Sequence, residues 1–423
     1  MSATTAPRSP QFKLGEGEFV FMMAMSMALQ ALAIDAMLPA LGAIASDLGV
    51  ADPNRRQLIV GAFLVAAGVS SLVPGSLADR FGRRPVLFGG LFFYALFAIG
   101  CAMAKSFDQL LTMRVLQAVG SSALTVLPAA IVRDRFVGDR MARAMSTVAV
   151  VFMIVPMLAP SFGQFVMLFA GWRWIFGGMA VMAAVLFAWA WLRLPETLHP
   201  DFRQAIEPGR IARNMVLSAR NRASIGYVIG SSMVMAGLFG YINSAQQLVA
   251  EHFGAGHWFP LLFAISAGSM ALANFTNSRI VERFGARRVS HAALLTFIAI
   301  SSVQVWQAAR GGETLLQFMP LMTLNMMLVG FIGANFGSIA MQPFAEIAGA
   351  AASFQAFTRM VIGAVLGALI GQAFDGTALP LALALLSGGI VSLILVLYSE
   401  RGKLFRRLNQ RGTTRDPGMP SAH

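Results

Sequence analysis

Asp35 and Arg114 are the residues whose chemistry stands out, because each is charged and each lies inside a long apolar run. In the stretch ALAIDAMLPALG a carboxylate sits where a charge at the centre of a bilayer costs about 2.5–3.5 kcal/mol. Ionisable side chains in such places usually face a bundle interior and mark ion or substrate paths. Burial favours the neutral acid, and a neighbouring cation favours the carboxylate. An acid that moves between two such surroundings can load a proton on one side and release it on the other; the plainer alternative is a structural ion pair. Arg114 is followed by Gln117, Ser121 and Thr125, a spacing that places all four on one helical face. That stripe must line a cavity or meet another helix. A guanidinium keeps its proton, so Arg114 is expected to tune the acid or hold a substrate. Asp35 and Arg114 are expected to face one cavity.

The elements that must position them follow from composition. Of the 423 residues, 57% are hydrophobic and 12% are charged, so the expected class is an all-α integral membrane protein. A membrane helix needs about 20 apolar residues. Twelve such runs can be read, at 19–41, 57–78, 86–104, 109–132, 144–168, 173–194, 223–246, 258–278, 290–309, 315–341, 350–374 and 378–399. Asp35 falls in the first and Arg114 in the fourth. Residues 1–18 carry no charged-then-apolar leader pattern and read as a cytoplasmic tail, as do residues 400–423.

The net charge of +13 is distributed by side. With an even number of spans, both termini share one side. Arg8 and Lys13, Arg80 to Arg84, Arg133 to Arg143, Arg193 to Arg222, Arg279 to Arg288, and Arg401 to Arg415 all fall there; Arg55, Arg56, Lys105, Arg173 and Arg310 fall opposite. This is the positive-inside pattern, which puts both termini in the cytoplasm and makes a nucleic-acid partner unnecessary.

The chain also repeats itself. GSLADRFGRRPV follows the second run and SRIVERFGARRV follows the eighth; laying Asp79 on Glu282 lays Arg80 on Arg283, Phe81 on Phe284 and Gly82 on Gly285. Two duplicated halves, 19–194 and 223–399, joined by a polar linker at 195–222 with Pro195, Pro200, Pro208 and Gly209, explain the match. Parallel repeats of this kind place a substrate site near the midplane between the halves. In the first copy Gly75 is expected to allow close helix packing and Gly82 the reversal of the chain. Asp79 can accept from arginines or helix N-termini, while Arg80, Arg83 and Arg84 hold the cytoplasmic face.

GSLADRFGRRPV closely resembles the signature of the major facilitator superfamily between its second and third helices. There the loop works as a latch between halves, an expectation carried here by Gly75, Asp79, Arg80, Gly82, Arg83 and Arg84. IDAMLPAL is similar to the aspartate-then-proline segment of Bcr/CflA-type multidrug exporters, which are twelve-helix drug:proton antiporters. RVLQAVGSSALTVLPAAIVRDRF resembles their arginine–glutamine motif, and VPMLAPSFG, with Pro156, Pro160 and Gly163, their antiporter motif in helix five. GWRWIF and LPETL follow in order, and Asn335 stands where the family often has an asparagine. The resemblance implies proton coupling through Asp35 and Arg114, a bacterial inner-membrane location, a monomer, and the proton gradient in place of any cofactor. The chain departs from the pattern at Gln164, where a second glycine is usual, at Ser278 and at Arg359.

Other polar residues within the spans are cavity candidates or helix–helix contacts in equal measure: Gln30, Gln117, Ser121, Tyr241, Asn243, Gln246, Asn335 and Gln342. Arg359 follows a short polar stretch and is expected to snorkel. Glu346 and Asp375 fall at helix edges. Pro39, Pro128, Pro156 and Pro160 are expected to kink their helices. The 26 Met and 33 Phe supply adaptable apolar surface of the kind promiscuous binders use. The histidines do not pair at metal-ligand spacing, Cys101 is the only cysteine, and no phosphate-cradling loop occurs, so an enzyme, a metal site and direct use of ATP are not expected. Export of small lipophilic or cationic compounds by proton antiport leads. Export of one endogenous metabolite, such as an amino acid or siderophore, and uptake by proton symport remain the alternatives.

Overall fold

The computed structural model of the protein describes residues 14–52, 54–136, 139–199, 203, 208–344 and 348–406. Arg8, Lys13, Glu346, Arg407, Arg411 and Arg415 lie outside them. The first half contains α1 (Glu16–Asp35), a short α2 (Leu41–Asp47), α3 (Leu58–Ser70), α4 (Leu72–Phe81), α5 (Arg83–Ala102), α6 (Phe107–Arg135), α7 (Asp139–Phe169) and α8 (Arg173–Arg193). The linker forms α9 (Pro208–Arg220). The second half contains α10 (Arg222–Gln246), α11 (Phe259–Phe284), α12 (Ala286–Arg310), α13 (Leu315–Met341), α14 (Ala348–Gln372) and α15 (Leu379–Ser399). Among the described residues eleven helices are long and apolar enough to cross a membrane, and α3 with α4 makes a twelfth span if that bent pair is counted as one. The protein is a multi-pass membrane protein.

Two expected helices are broken, each at a proline. The second span bends by 42° between α3 and α4. Pro74 has no N–H to return to Ser70 and its ring crowds that turn, while Ser71 Oγ donates to the carbonyl of Gly68 at 2.7 Å. The first span ends its α-helix at Asp35 and continues as a 3₁₀ turn, Leu38–Ala40, with Pro39 in its first turn, before α2. α6 and α7, by contrast, run continuously through Pro128, Pro156 and Pro160. α9 was not expected from the polar linker; its signal is Pro208 at the first position, where a missing N–H does no harm.

Alternating helix directions bring the start of α1 and the end of α15 to one end of the bundle, here the terminal end; the opposite is the far end. At the terminal end Arg135, closing α6, donates to the carbonyl of Leu14, and Arg288, early in α12, donates to that of Phe405. The duplicated turns match in conformation: Gly82 has φ +105° and Gly285 has φ +86°, values open to glycine and strained for other residues. Across the halves, α7 packs on α11 and α3 on α14.

Candidate functional site

Between the halves lies a cavity of about 410 Å³. α1 contributes Gln30, Ala31, Ile34 and Asp35; α7 contributes Phe152, Met153 and Pro156; α10 contributes Met235, Leu238, Phe239, Tyr241 and Ile242. α11 adds Phe263, Ser266, Ala267, Met270, Ala271 and Asn274, with Leu64, Met326 and Met360 from α3, α13 and α14. Every one of these residues except Asp35 is uncharged. Met side chains repack around different shapes, and Tyr241 is steadied by a stack on Phe263 and a 3.4 Å approach to Ser266 Oγ.

Asp35 reaches this cavity because α1 stops there. It is 4% exposed, and its Oδ1 has no hydrogen-bond partner. It also stands at the carbonyl end of α1, where the helix dipole offers a carboxylate no support. An unpaired charge so placed is expensive; protonation or a cationic ligand removes the expense. α7 holds the segment in place: a Cβ on Gly163 would fall 1.7 Å from the carbonyl oxygen of Ala36, the residue after Asp35. Gln164, beside it, is half-buried with Oε1 unpartnered.

Arg114 is fully buried and outside the cavity lining. It donates to the carbonyl of Ala33 at 2.9 Å, to that of Ile59 at 3.3 Å, and to Gln117 Oε1 at 2.7 Å, and it lies 4.1 Å over the Phe63 ring. It therefore clamps the α1 backbone two residues before Asp35 instead of pairing with the carboxylate. The polar stripe expected on α6 turns away from the cavity with it: Gln117 serves Arg114, and Ser121 Oγ donates to its own helix at Ala118.

Of the other cavity candidates, Gln30 and Tyr241 line the space, as does Pro156 of the helix-five motif. Asn243 donates to Phe239 and packs at the α3–α14 contact, and Gln246 lies near Arg56 and Gly42 at the far end. Asn335 donates to Asn277 at 2.7 Å, tying α13 to α11, and Gln342 accepts from Arg287. Ser266 and Asn274 were missed. With Met270 between them they recur every fourth residue on α11, which was legible as a polar line in an apolar span.

The latch motif forms a compact ionic cluster at the terminal end of the first half. Arg83 donates to Asp79 at 2.6 Å and to Asp134 at 3.0 Å. Glu196, from LPETL, accepts the backbone N–H groups of Arg83 and Arg84 at the start of α5, a favourable place for an anion. Arg84 also donates to the carbonyl of Trp191, and Arg80 lies over Phe81. These bonds join helices of the first half to one another and to the start of the linker. The close packing expected at Gly75 is not found: a Cβ there would come no nearer than 3.8 Å to Val126, an ordinary contact.

Residues 19–368 match the profile of the Major Facilitator Superfamily. The chain belongs to that superfamily. It is 26% identical over 406 residues to a bicyclomycin resistance protein homolog of Haemophilus influenzae, covering 93% of this chain and 98% of the relative. It is 27% identical over 369 residues to the multidrug resistance protein MdtL of Shewanella sp. (strain ANA-3), covering 86% and 91%. Among solved structures it is similar to that of the peptide transporter POT in complex with sulfate, with a TM-score of 0.72 at 15% identity over 94% of this chain and 97% of that one. The last likeness speaks for the fold alone.

Proposed function

We propose that the chain is a proton-coupled exporter of small lipophilic or cationic compounds, working by alternating access in a bacterial inner membrane with both termini in the cytoplasm. The observation that carries the reading is the lone, unpartnered carboxylate of Asp35 in an otherwise uncharged, methionine- and aromatic-lined cavity between the halves. A proton and a cationic cargo would compete for that carboxylate, and neutral lipophilic cargo would bind when the acid is protonated. The relatives named for bicyclomycin and multidrug resistance support the cargo class. Arg114 holds α1 in register so that Asp35 faces the cavity. No cofactor enters; the proton gradient supplies the energy, and a single copy suffices.

The test uses inverted vesicles energised to be acidic inside, carrying the protein or its Asp35→Asn variant. Lipophilic cations and neutral antibiotics are added while internal pH is followed. Proton release by the parent and none by the variant is the expected result. No release from either form with any compound would sink multidrug antiport and point to a dedicated metabolite or to symport.

A further inference from the structure

At the far end several polar bonds between the halves converge on one residue. Asn54, in the turn before α3, donates from Nδ2 to the carbonyls of Gln372 at 3.1 Å and Phe374 at 2.7 Å. Its Oδ1 accepts from Gln247 Nε2 at 3.2 Å, and its backbone oxygen accepts from Gln372 Nε2 at 2.6 Å. Its own N–H is held by Asp52 Oδ1 at 2.9 Å, which fixes the turn. Gln247 opens a π-helical turn, Gln247–His252, that extends α10, and Gln372 ends α14. One side chain of the first half thus grips two helices of the second. The ion pair of Arg56 with Glu251 spans the same seam.

Beneath this clasp the seam buries amide atoms that have no partner. Both side-chain polar atoms of Gln57 and Oδ1 of Asn243 are unsatisfied, and the two residues converge on Gly371, where Gln57 Oε1 would lie 2.2 Å and Asn243 Cβ 2.8 Å from an added Cβ. Gln57 and Asn243 are each 1% exposed. Groups left this way oppose the burial that closure imposes on them, because an open seam would return them to water.

We propose that Asn54 is the keystone of an amide clasp that closes the far end of the transport path, and that the orphaned amide of Gln57 and the unpaired Oδ1 of Asn243 oppose it, keeping closure reversible. The inference rests on the alternating-access reading above. The four Asn54 bonds to α10 and α14 join uncharged amides and backbone carbonyls, while the charged groups facing the clasp are Asp52, which holds the turn, and the Arg56–Glu251 pair beside it. Asn54, Gln57 and Asn243 are positioning residues: they touch no cargo and set which side the cavity faces.

The test measures distance. Nitroxide labels at exposed Lys105 and His257, one in each half at the far end, are introduced into the full chain with Cys101 replaced by Ala, and the protein is studied in lipid nanodiscs by pulsed electron resonance. Asn54→Ala deletes three side-chain hydrogen bonds and is expected to raise the ratio of far-open to far-closed forms by roughly tenfold or more. Gln57→Met, which keeps the length of the side chain and removes the orphaned amide, is expected to lower that ratio. Loss of packing alone would move both variants the same way, so two openings overturn the proposal. Unchanged distances in Asn54→Ala, with a parent that still opens on acidification, overturn the clasp alone; a parent that opens under no condition overturns the clasp and alternating access together.

Discussion

Gly163→Ala is the sharpest available probe of how the Asp35 segment is held. The added Cβ would lie 1.7 Å from the Ala36 carbonyl oxygen and 2.8 Å from its carbon. Carbon and oxygen in contact stand about 3.3 Å apart, so one backbone must withdraw by roughly 1.6 Å. Neither atom belongs to a flexible side chain, so α7 or α1 itself must move, and overpacking that shifts backbone costs about 3 kcal/mol at the upper end of its usual range. In a chain of this size such a loss lowers the unfolding midpoint by roughly 3–6 °C. Cys101 is the only cysteine and is buried, so a thiol-reactive fluorophore reports its exposure on heating. Two other glycines calibrate the result. At Gly333 an added Cβ meets nothing within 4 Å, and helix propensity alone predicts a gain of about 0.5–1 kcal/mol. At Gly75, inside α4, the nearest contact is an ordinary 3.8 Å, and the same helix propensity predicts a similar gain. Since the displaced backbone adjoins Asp35, proton release should fail along with stability. A Gly163→Ala protein that melts with the Gly333→Ala protein and transports normally would refute the contact.

Arg114→Met removes a buried guanidinium and leaves the carbonyls of Ala33 and Ile59 and the Gln117 amide oxygen short of a donor, a loss of about 3 kcal/mol at roughly 1 kcal/mol per bond; the same thermal assay checks it, and an unchanged midpoint would remove the clamp. Glu313, in the loop between α12 and α13, has both carboxylate oxygens buried without partners, and burial pushes its carboxyl from 4.5 up to about 6. Its raised folded value means that its contribution to stability is present below about pH 4.5 and lost as pH rises through 6. Glu313→Gln should therefore stabilise by about 1 kcal/mol at pH 7, after allowance for partial exposure, and by nothing near pH 4.5; equal midpoint shifts at both pH values would exclude the mechanism. Asn274→Leu, inside the cavity, should change the order of preferred compounds in the vesicle assay, whereas Asn335→Leu, outside it, should weaken the α11–α13 tie without changing that order.

Much of this was legible in the sequence because it is written in one-dimensional signals. Length of apolar run gives the spans, and the RFG repeat gives the duplicated turn, whose glycines both adopt positive φ. A charge inside an apolar run marks Asp35. What the sequence could not supply is the direction of a side chain around its helix. Arg114, Gln117 and Ser121 were correctly placed on one face of α6, but which neighbour that face meets depends on packing, and it meets α1 and α3 instead of the cavity. The far-end seam was hidden for another reason: Asn54 and Gln372 lie 318 positions apart, and nothing local in either segment announces the other.

The separation of Asp35 from Arg114 bears directly on the proposed reading, in which one carboxylate serves two ligands. Had the guanidinium lined the cavity, Asp35 would hold a fixed counter-ion, and a proton or cationic compound would have to displace it. The fold directs the donors of Arg114 onto two backbone carbonyls and a glutamine, so its charge steadies α1 while its hydrogen bonds are already taken. Asp35 is left as the one charged side chain among the described residues lining the cavity. Around it the wall is mostly thioether, aromatic and aliphatic, with Gln30, Ser266 and Asn274 among its uncharged polar groups. On the proposed reading, antiport needs no more than this: a carboxylate that cannot remain bare where it sits, two ligands that can neutralise it, and a rocking pair of halves that shows it to each side in turn.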